Sequence, residues 1–480
     1  MSRPTRPEGA EAPGARSTGR RVAARAPRRR VPVALAVVLP VVAALVVGLA
    51  QLVGPARTAA TPPRQVPLDR AAYACPADEG LTVAAGQVRA GRSASVTTPG
   101  GDPPTGLDAP GRWRTAPGAG GVVTIDQAGA GSGPVGFTAG RAPRSAGRGL
   151  VVGSCPDASG DAWFTDTGSG GEHTTTLVLT NLGDTPGVAD VRLWGPAGPV
   201  DAVDAKGLLV EPRSTRRVRL ADLAAGEPLL AVHVERVRGA LAVSALDGST
   251  ADSAGTELQR STLAPRRQQV LAPLPVGETG RRLTLVNPGD QVARVRVRAL
   301  GQDGAFTPEG LTALRVPGGR VVAVDLPQAV GSGRVALELS ASEPVAASVR
   351  VAPTGEDFGT ATATTPLTGP AVVPVALDES RRPELVLGAT SGRAVRVGLT
   401  AYDASMRRVD AATVRVAGTS TLGVDLARTL DLGDAAYVVV RPASAGVVGT
   451  ASYTDGDRLA LLPLRPAPVT AAGPQVRPAP

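Results

Sequence analysis

The 480-residue chain predicts an all-β fold, a series of tandem β-sandwich domains after a single N-terminal transmembrane helix. Three observations carry that prediction. Residues 31–53 (VPVALAVVLPVVAALVVGLAQLV) lack any charged side chain, and the run is long enough for a helix to cross the roughly 30 Å hydrocarbon core of a bilayer. Beyond it, short Val- and Leu-rich segments alternate in polarity between Gly/Pro clusters, the pattern of half-buried strands. A set of strand and turn signatures then recurs at a spacing of about 100 residues, too long for a solenoid unit or a propeller blade and right for a complete sandwich.

Residues 1–30 hold nine arginines against Glu8 and Glu11, so this basic, disordered-looking tail carries +7 of the formal net charge of +9. The main body is therefore nearly neutral, which argues against a nucleic-acid groove, and no nucleic-acid partner is expected. Lys206 is the only lysine. The arginine excess reads as high-GC coding rather than phosphate recognition. Basic residues flanking a membrane segment stay on the cytoplasmic side, which puts the N-terminus inside and the main body in an extracytoplasmic location. A cleaved signal peptide with Gly48-Leu49-Ala50 as its cleavage site is the alternative. The apolar run exceeds the usual signal-peptide core of about 7 to 15 residues, which favours an uncleaved signal anchor.

Residues 54–66 form a Pro/Ala-rich linker, followed by a β-domain at 67–165. Cys75 and Cys155, each followed by proline, bracket that domain. Outside the membrane the two are expected to form a disulfide, which by chain entropy stabilises by about 4 kcal/mol. A free thiol and a metal site are the alternatives, and no histidine has a suitable spacing for the latter. Three repeats follow, at 166–268, 269–369 and 370–465. They share a Leu-x-Leu turn segment (Leu177, Leu283, Leu385), a Val-rich strand that opens Ala-x-Val in the first two copies (Ala189, Ala293) and Ala394-Val-Arg-Val in the third, and an Asp-Leu pair (Asp222, Asp325, Asp425). Asn181 and Asn287 close the turn segment in the first two copies, and Ala389 replaces them in the third. About seven strands per copy fit immunoglobulin-like sandwiches, here joined as a rod. Residues 466–480, ending in prolines, read as a disordered tail.

The two Cys-Pro pairs, Ala162-Trp163-Phe164 after the second of them, the Leu-x-Leu-x-Asn turn, the Ala-x-Val-x-Leu strand and Asp-Leu together resemble an uncharacterised family of membrane-anchored secreted proteins of high-GC Gram-positive bacteria. That family carries a domain of unknown function, and the resemblance spans roughly residues 70–465. It implies an envelope location and an association with envelope glycosyltransferases, and it supplies no catalytic residues.

Candidate chemistry is sparse. His173 and His233 are the only histidines. His173 reads as a solvated loop residue and His233 as an exposed strand residue opposite Val232 and Val234. Neither a serine-lysine dyad around Lys206 nor a G-x-S-x-G elbow is present. Asp157, Asp161, Asp166 and Glu172 offer carboxylates but not the spacing of a calcium loop. Trp163 and Phe164 are the candidate ligand contact, since an exposed aromatic can stack on a sugar ring, although such a pair more often belongs to a core. The recurrent Asp222, Asp325 and Asp425 read as strand-end turn residues. No cofactor or metal is expected. The resulting expectation is a non-enzymatic scaffold or accessory protein of cell-envelope glycan assembly, held in the bilayer by residues 31–53 and working with an envelope protein partner. The alternative is a carbohydrate-binding protein for cell-wall glycan using Trp113, Trp163 or Trp194, and a hydrolase using scattered carboxylates is a third, weaker reading.

Overall fold

The computed structural model describes residues 65–472 except 69, 79, 90–92, 98–104, 107–113, 118–120, 129–132, 143–148, 159, 203, 251–253, 278–279, 353–356 and 376–382. The basic tail, the apolar run and Trp113 lie outside the described residues. Among the described residues no helix is long and apolar enough to cross a membrane.

The fold is all-β, and its strands pair antiparallel throughout. In the second sandwich one sheet runs in the order Ala162–Thr167, Leu230–Arg238, Gly187–Gly195, Gly198–Val200, and the facing sheet Thr215–Arg219, His173–Asn181, Leu241–Ser249, Gly255–Gln259. Alternation builds it. Val191 and Leu193 point inward with Ala189, while Arg192 between them stays exposed. The fourth sandwich repeats that order with Ala371–Pro374, Ala435–Pro442, Val395–Asp403, Arg408–Val416 facing Thr421–Asp425, Glu384–Ala389, Val447–Asp455, Arg458–Pro463. In the third, the 17-residue strand Val335–Val351 serves both sheets. Its first half pairs with Ala293–Gly301 and its second with Arg281–Asn287, and Pro344 lies between the two paired stretches.

The disulfide-bearing domain turns out to be a fourth copy in strand order. One sheet runs Arg70–Ala77, Gly121–Ala128, Ser93–Thr97, Thr105–Gly106 and the other Arg114–Pro117, Leu81–Gln87, Pro134–Arg141, Leu150–Ser154. Cys75 on the first strand joins Cys155, just past the last, with Cα atoms 4.6 Å apart. Ile125, Tyr73 and Val83 surround the bridge in a small core of their own.

Three expectations about the chain's course are corrected. The second sandwich begins at Ala162, not 166, because Ala162–Thr167 pairs with Leu230–Arg238; the third begins at Arg266 rather than 269. Residues 466–472 are not a disordered tail. Ala467 donates its N–H to the Pro370 carbonyl at 2.7 Å, Val469 is buried, and Thr470–Ala472 pairs with Gln65–Pro67 at the end of the linker. Nor do the sandwiches form a rod. The last strands of the four copies (Leu150–Ser154, Gly255–Gln259, Gly359–Thr364, Arg458–Pro463) meet one another, and in all but the third copy that strand is the edge of its sheet. Glycines permit the approach: a Cβ at Gly153 would lie 3.1 Å from Leu258, and one at Gly359 would lie 2.8 Å from Leu461. Asp357 ties three copies together there, accepting from the backbone N–H groups of Leu150 at 2.7 Å, Phe358 at 2.9 Å and Leu459 at 3.2 Å. Exposed strand edges invite association with other chains, and this convergence covers the three edge strands.

Candidate functional site

A dense set of ionisable side chains lies in the seam between the second and third sandwiches. Arg350 sits near the end of the long strand, buried, with its guanidinium 3.9 Å above the Phe358 ring. It donates from Nε to Asp166 at 2.5 Å and from a terminal nitrogen to Asp247 at 2.8 Å. Both carboxylates belong to the second sandwich and both are buried. Thr175 adds a donor to Asp247 at 2.5 Å, Thr284 one to Asp166 at 3.4 Å, and Thr165 and Ser348 bond across the seam at 2.7 Å. Burial alone would lift the Asp166 pKa, but Arg350, Arg282 and His173 outweigh it and hold the carboxyl below its usual range.

His173 completes the cluster. Its Nδ1 lies 3.1 Å from the Pro228 carbonyl, which only accepts, so Nδ1 carries a proton. Nε2 lies 3.0 Å from Asp247 and 3.0 Å from an Arg350 nitrogen. A neutral ring accepts there from Arg350, and an imidazolium donates to Asp247. Burial opposes the charge, yet Asp247 pulls the His173 pKa above its ordinary value. Neither ring nitrogen is offered to open space. The His–Asp–Thr grouping therefore has the contacts of a lock between sandwiches, not of a base with a nucleophile. His173 is thus not the solvated loop residue its glycine-rich surroundings suggest.

The second seam feature is aromatic. Trp163 stacks on Trp194 with ring centroids 5.3 Å apart and on His233 at 4.2 Å. Both tryptophans are more than nine-tenths buried, and they pack with Val286, Val321 and Ala346 of the third sandwich. Phe164 points the other way, into the core of the second sandwich. The pair proposed as a ligand contact is therefore core and seam, with no face open to a sugar. His233 is likewise buried rather than exposed, with Nε2 3.3 Å from Asp161. It does lie on the face of its strand opposite Val232 and Val234. A second layer covers that face, which one strand's alternation cannot reveal.

The four carboxylates between 157 and 172 disperse. Asp166 joins Arg350, Asp161 accepts from His233 and from the Arg236 N–H at 3.2 Å, and Asp157 lines a cavity described below. Among the described residues no group of three or more His, Cys, Asp or Glu side chains is placed to hold a metal ion. The Asp-Leu repeat also shifts in meaning. Asp325 and Asp425 pair with Arg282 and Glu384, and the equivalent pairing in the second sandwich is Thr176 with Arg219. The buried leucine after that position is Leu220, Leu326 or Leu426, so Asp222 sits three residues past the true equivalent and binds Arg219 at 2.9 Å. Asp425 caps the one-turn helix Leu426–Thr429, accepting from Ala427 and Arg428 N–H groups. Asp425 thus serves a local turn, and the three aspartates belong to different sandwiches.

Residues 114–427 match a single family over well more than half of the chain. The chain belongs to the family of unknown function DUF5719. The DUF5719 match opens within strand Arg114–Pro117 of the first sandwich and closes in the cap helix of the fourth, so it takes in the whole Arg350 seam. No curated protein and no solved structure matches the chain.

Proposed function

We propose that this protein is a non-enzymatic, membrane-anchored extracytoplasmic scaffold that presents a rigid block of four immunoglobulin-like sandwiches to a protein partner in cell-envelope glycan assembly. One observation supports this reading above the others. The side chains best suited to chemistry are already engaged: Asp166, Asp247 and His173 contact Arg350 of the next sandwich, Trp163 packs on that sandwich, and His233 bonds Asp161. Such an arrangement favours fixed geometry, the property a presenting platform needs. The buried Cys75–Cys155 bridge suits an oxidising compartment. The apolar run at 31–53 after an arginine-rich tail suits an anchor with its N-terminus in the cytoplasm. The composition of that tail and of the body also suits a high-GC Gram-positive source.

Cross-linking and co-purification of the full-length protein from native membranes, followed by mass spectrometry, tests the proposal. Enrichment of one envelope glycosyltransferase or wall enzyme over an anchor-only control is the expected result. Turnover of a wall-derived substrate by the protein itself, abolished by a single carboxylate substitution, would overturn it.

A further inference from the structure

A cavity of about 220 Å³ opens where the first sandwich, the connection from second to third, and the stretch after the fourth converge. Its charged lining is Arg260, Arg465 and Asp157, a net charge of one positive, and Tyr73 and Ser154 add hydroxyl groups. The apolar part of the lining includes Val372, Leu462 and Leu464. Arg260 donates to Ser154 Oγ, and Arg465 donates to the Ser261 carbonyl at 2.7 Å. Among the described residues neither guanidinium forms an ion pair or a hydrogen bond with a carboxylate. This contrasts with Arg350, which has two.

Two half-buried guanidinium groups lining one cavity without a bonded carboxylate are costly to the extent that they are shielded from water, because a shielded cation needs a counter-charge as well as hydrogen bonds. Burial, then the like charge of Arg260, presses the Arg465 pKa down to about 9, with Asp157 opposing, and burial lowers Arg260 too. Arginine nonetheless keeps its proton in proteins, so the cavity remains cationic. The fixed fork of a guanidinium matches the two oxygens of an oxyanion. The lining thus combines guanidinium and hydroxyl groups with apolar side chains.

We infer that this cavity binds a small molecule bearing one oxyanionic charge, a carboxylate or a phosphodiester, beside an apolar body, with Arg465 and Arg260 as its charge partners. The site draws on three of the sandwiches and their connections, so an occupant holds the closed arrangement together. The inference is independent of the scaffold reading, since a partner protein is neither needed nor excluded by it.

The test titrates the full-length protein in lipid nanodiscs with isobutyrate, with dimethyl phosphate and with the neutral isostere isobutyramide, using saturation-transfer NMR against empty nanodiscs. Saturable binding of at least one anion, and none of the amide, is expected. Whichever anion binds identifies the oxyanion class. Arg465→Gln should weaken that binding about tenfold or more, which is about 1.4 kcal/mol. Arg465→Lys should recover part of it by restoring charge without the fork. Absence of saturable anion binding, equal binding of the amide, or undiminished binding by a folded Arg465→Gln protein would each overturn the inference. The comparison of anion with amide decides the matter in the wild-type protein even if the variants do not fold.

Discussion

Arg350 is the residue on which the seam between the second and third sandwiches depends most. Its removal would leave Asp166 and Asp247 buried without their cation, and breaking such a pair from one side costs about 3 to 5 kcal/mol. Arg350→Met should therefore lower the denaturation midpoint strongly, whereas an exposed pair such as Arg192–Glu235 should give less than about 1 kcal/mol on loss of one member. Glu257, close by, behaves oppositely to Asp166. One of its oxygens accepts from the Thr360 N–H at 2.7 Å, the other has no partner, and burial pushes its pKa up to about 7. Between the ordinary glutamate value and about 7 the folded chain holds a proton that the unfolded chain has released. The stability this group contributes is thus present below the ordinary value and falls as pH rises through that window. Asp166, held low, contributes in the other sense: its stabilisation is present above the ordinary aspartate value and is lost as pH falls through its folded pKa. Urea titrations of wild type and Glu257→Gln between pH 5 and pH 8 check the first statement: the variant should show a shallower downward slope, with the remainder due to Asp357, which burial also pushes up to about 7.

At the scale of elements, the turn asparagines show how a sequence signature becomes geometry. Asn287 accepts from the Gly289 N–H at 3.1 Å and donates to the carbonyls of Gln291 at 2.6 Å and Val316 at 3.0 Å, and Asn181 does the same with Gly183, Thr185 and Val210. Asn287→Ala would strand two carbonyls in a partly buried turn, so a loss of about 1 to 3 kcal/mol in thermal or denaturant unfolding is expected. The fourth sandwich already has Ala389 there. Thr390 and Ser391 supply substitute bonds to the Gly446 and Arg393 carbonyls, which is why that turn survives without its asparagine. Strand existence and face were legible in this way because alternation and turn chemistry are local. The fourth copy was not, because the first sandwich shares the others' strand order without their turn residues. The Arg350 seam was equally hidden, since its members come from strands over 100 positions apart and nothing local marks Asp166 or Arg350 as partners. The misplaced Asp222 has a plainer cause: a two-residue motif three positions from its structural equivalent outweighed the single buried leucine that marks the true register.

For the molecule as a whole, the decisive contrast is between a rod and a closed block. Four domains of about 100 residues in line would have a radius of gyration of about 40 Å, against about 22 Å for a compact body of the same length. Small-angle scattering from residues 64–480, which form one compact unit, should give the smaller value. Closure rests on glycine at the four-strand convergence. A side chain at Gly359 would lie 2.8 Å from Leu461 Cγ and 3.2 Å from its backbone nitrogen, and the backbone cannot yield as a side-chain tip could. Gly359→Val should therefore cost about 1 to 3 kcal/mol and raise the radius of gyration, while each sandwich keeps its own circular-dichroism signature. Reduction of Cys75–Cys155 should act differently. The bridge closes a loop 80 residues apart inside one sandwich, so its loss weakens that domain by about 4 kcal/mol. Because the first sandwich covers the edge strands of the second and fourth, its unfolding would also uncover Gly255–Gln259 and Arg458–Pro463. Aggregation on reduction would trace the consequence to those exposed edges; a reduced protein that stays monomeric and compact would show that the other three sandwiches hold without the first.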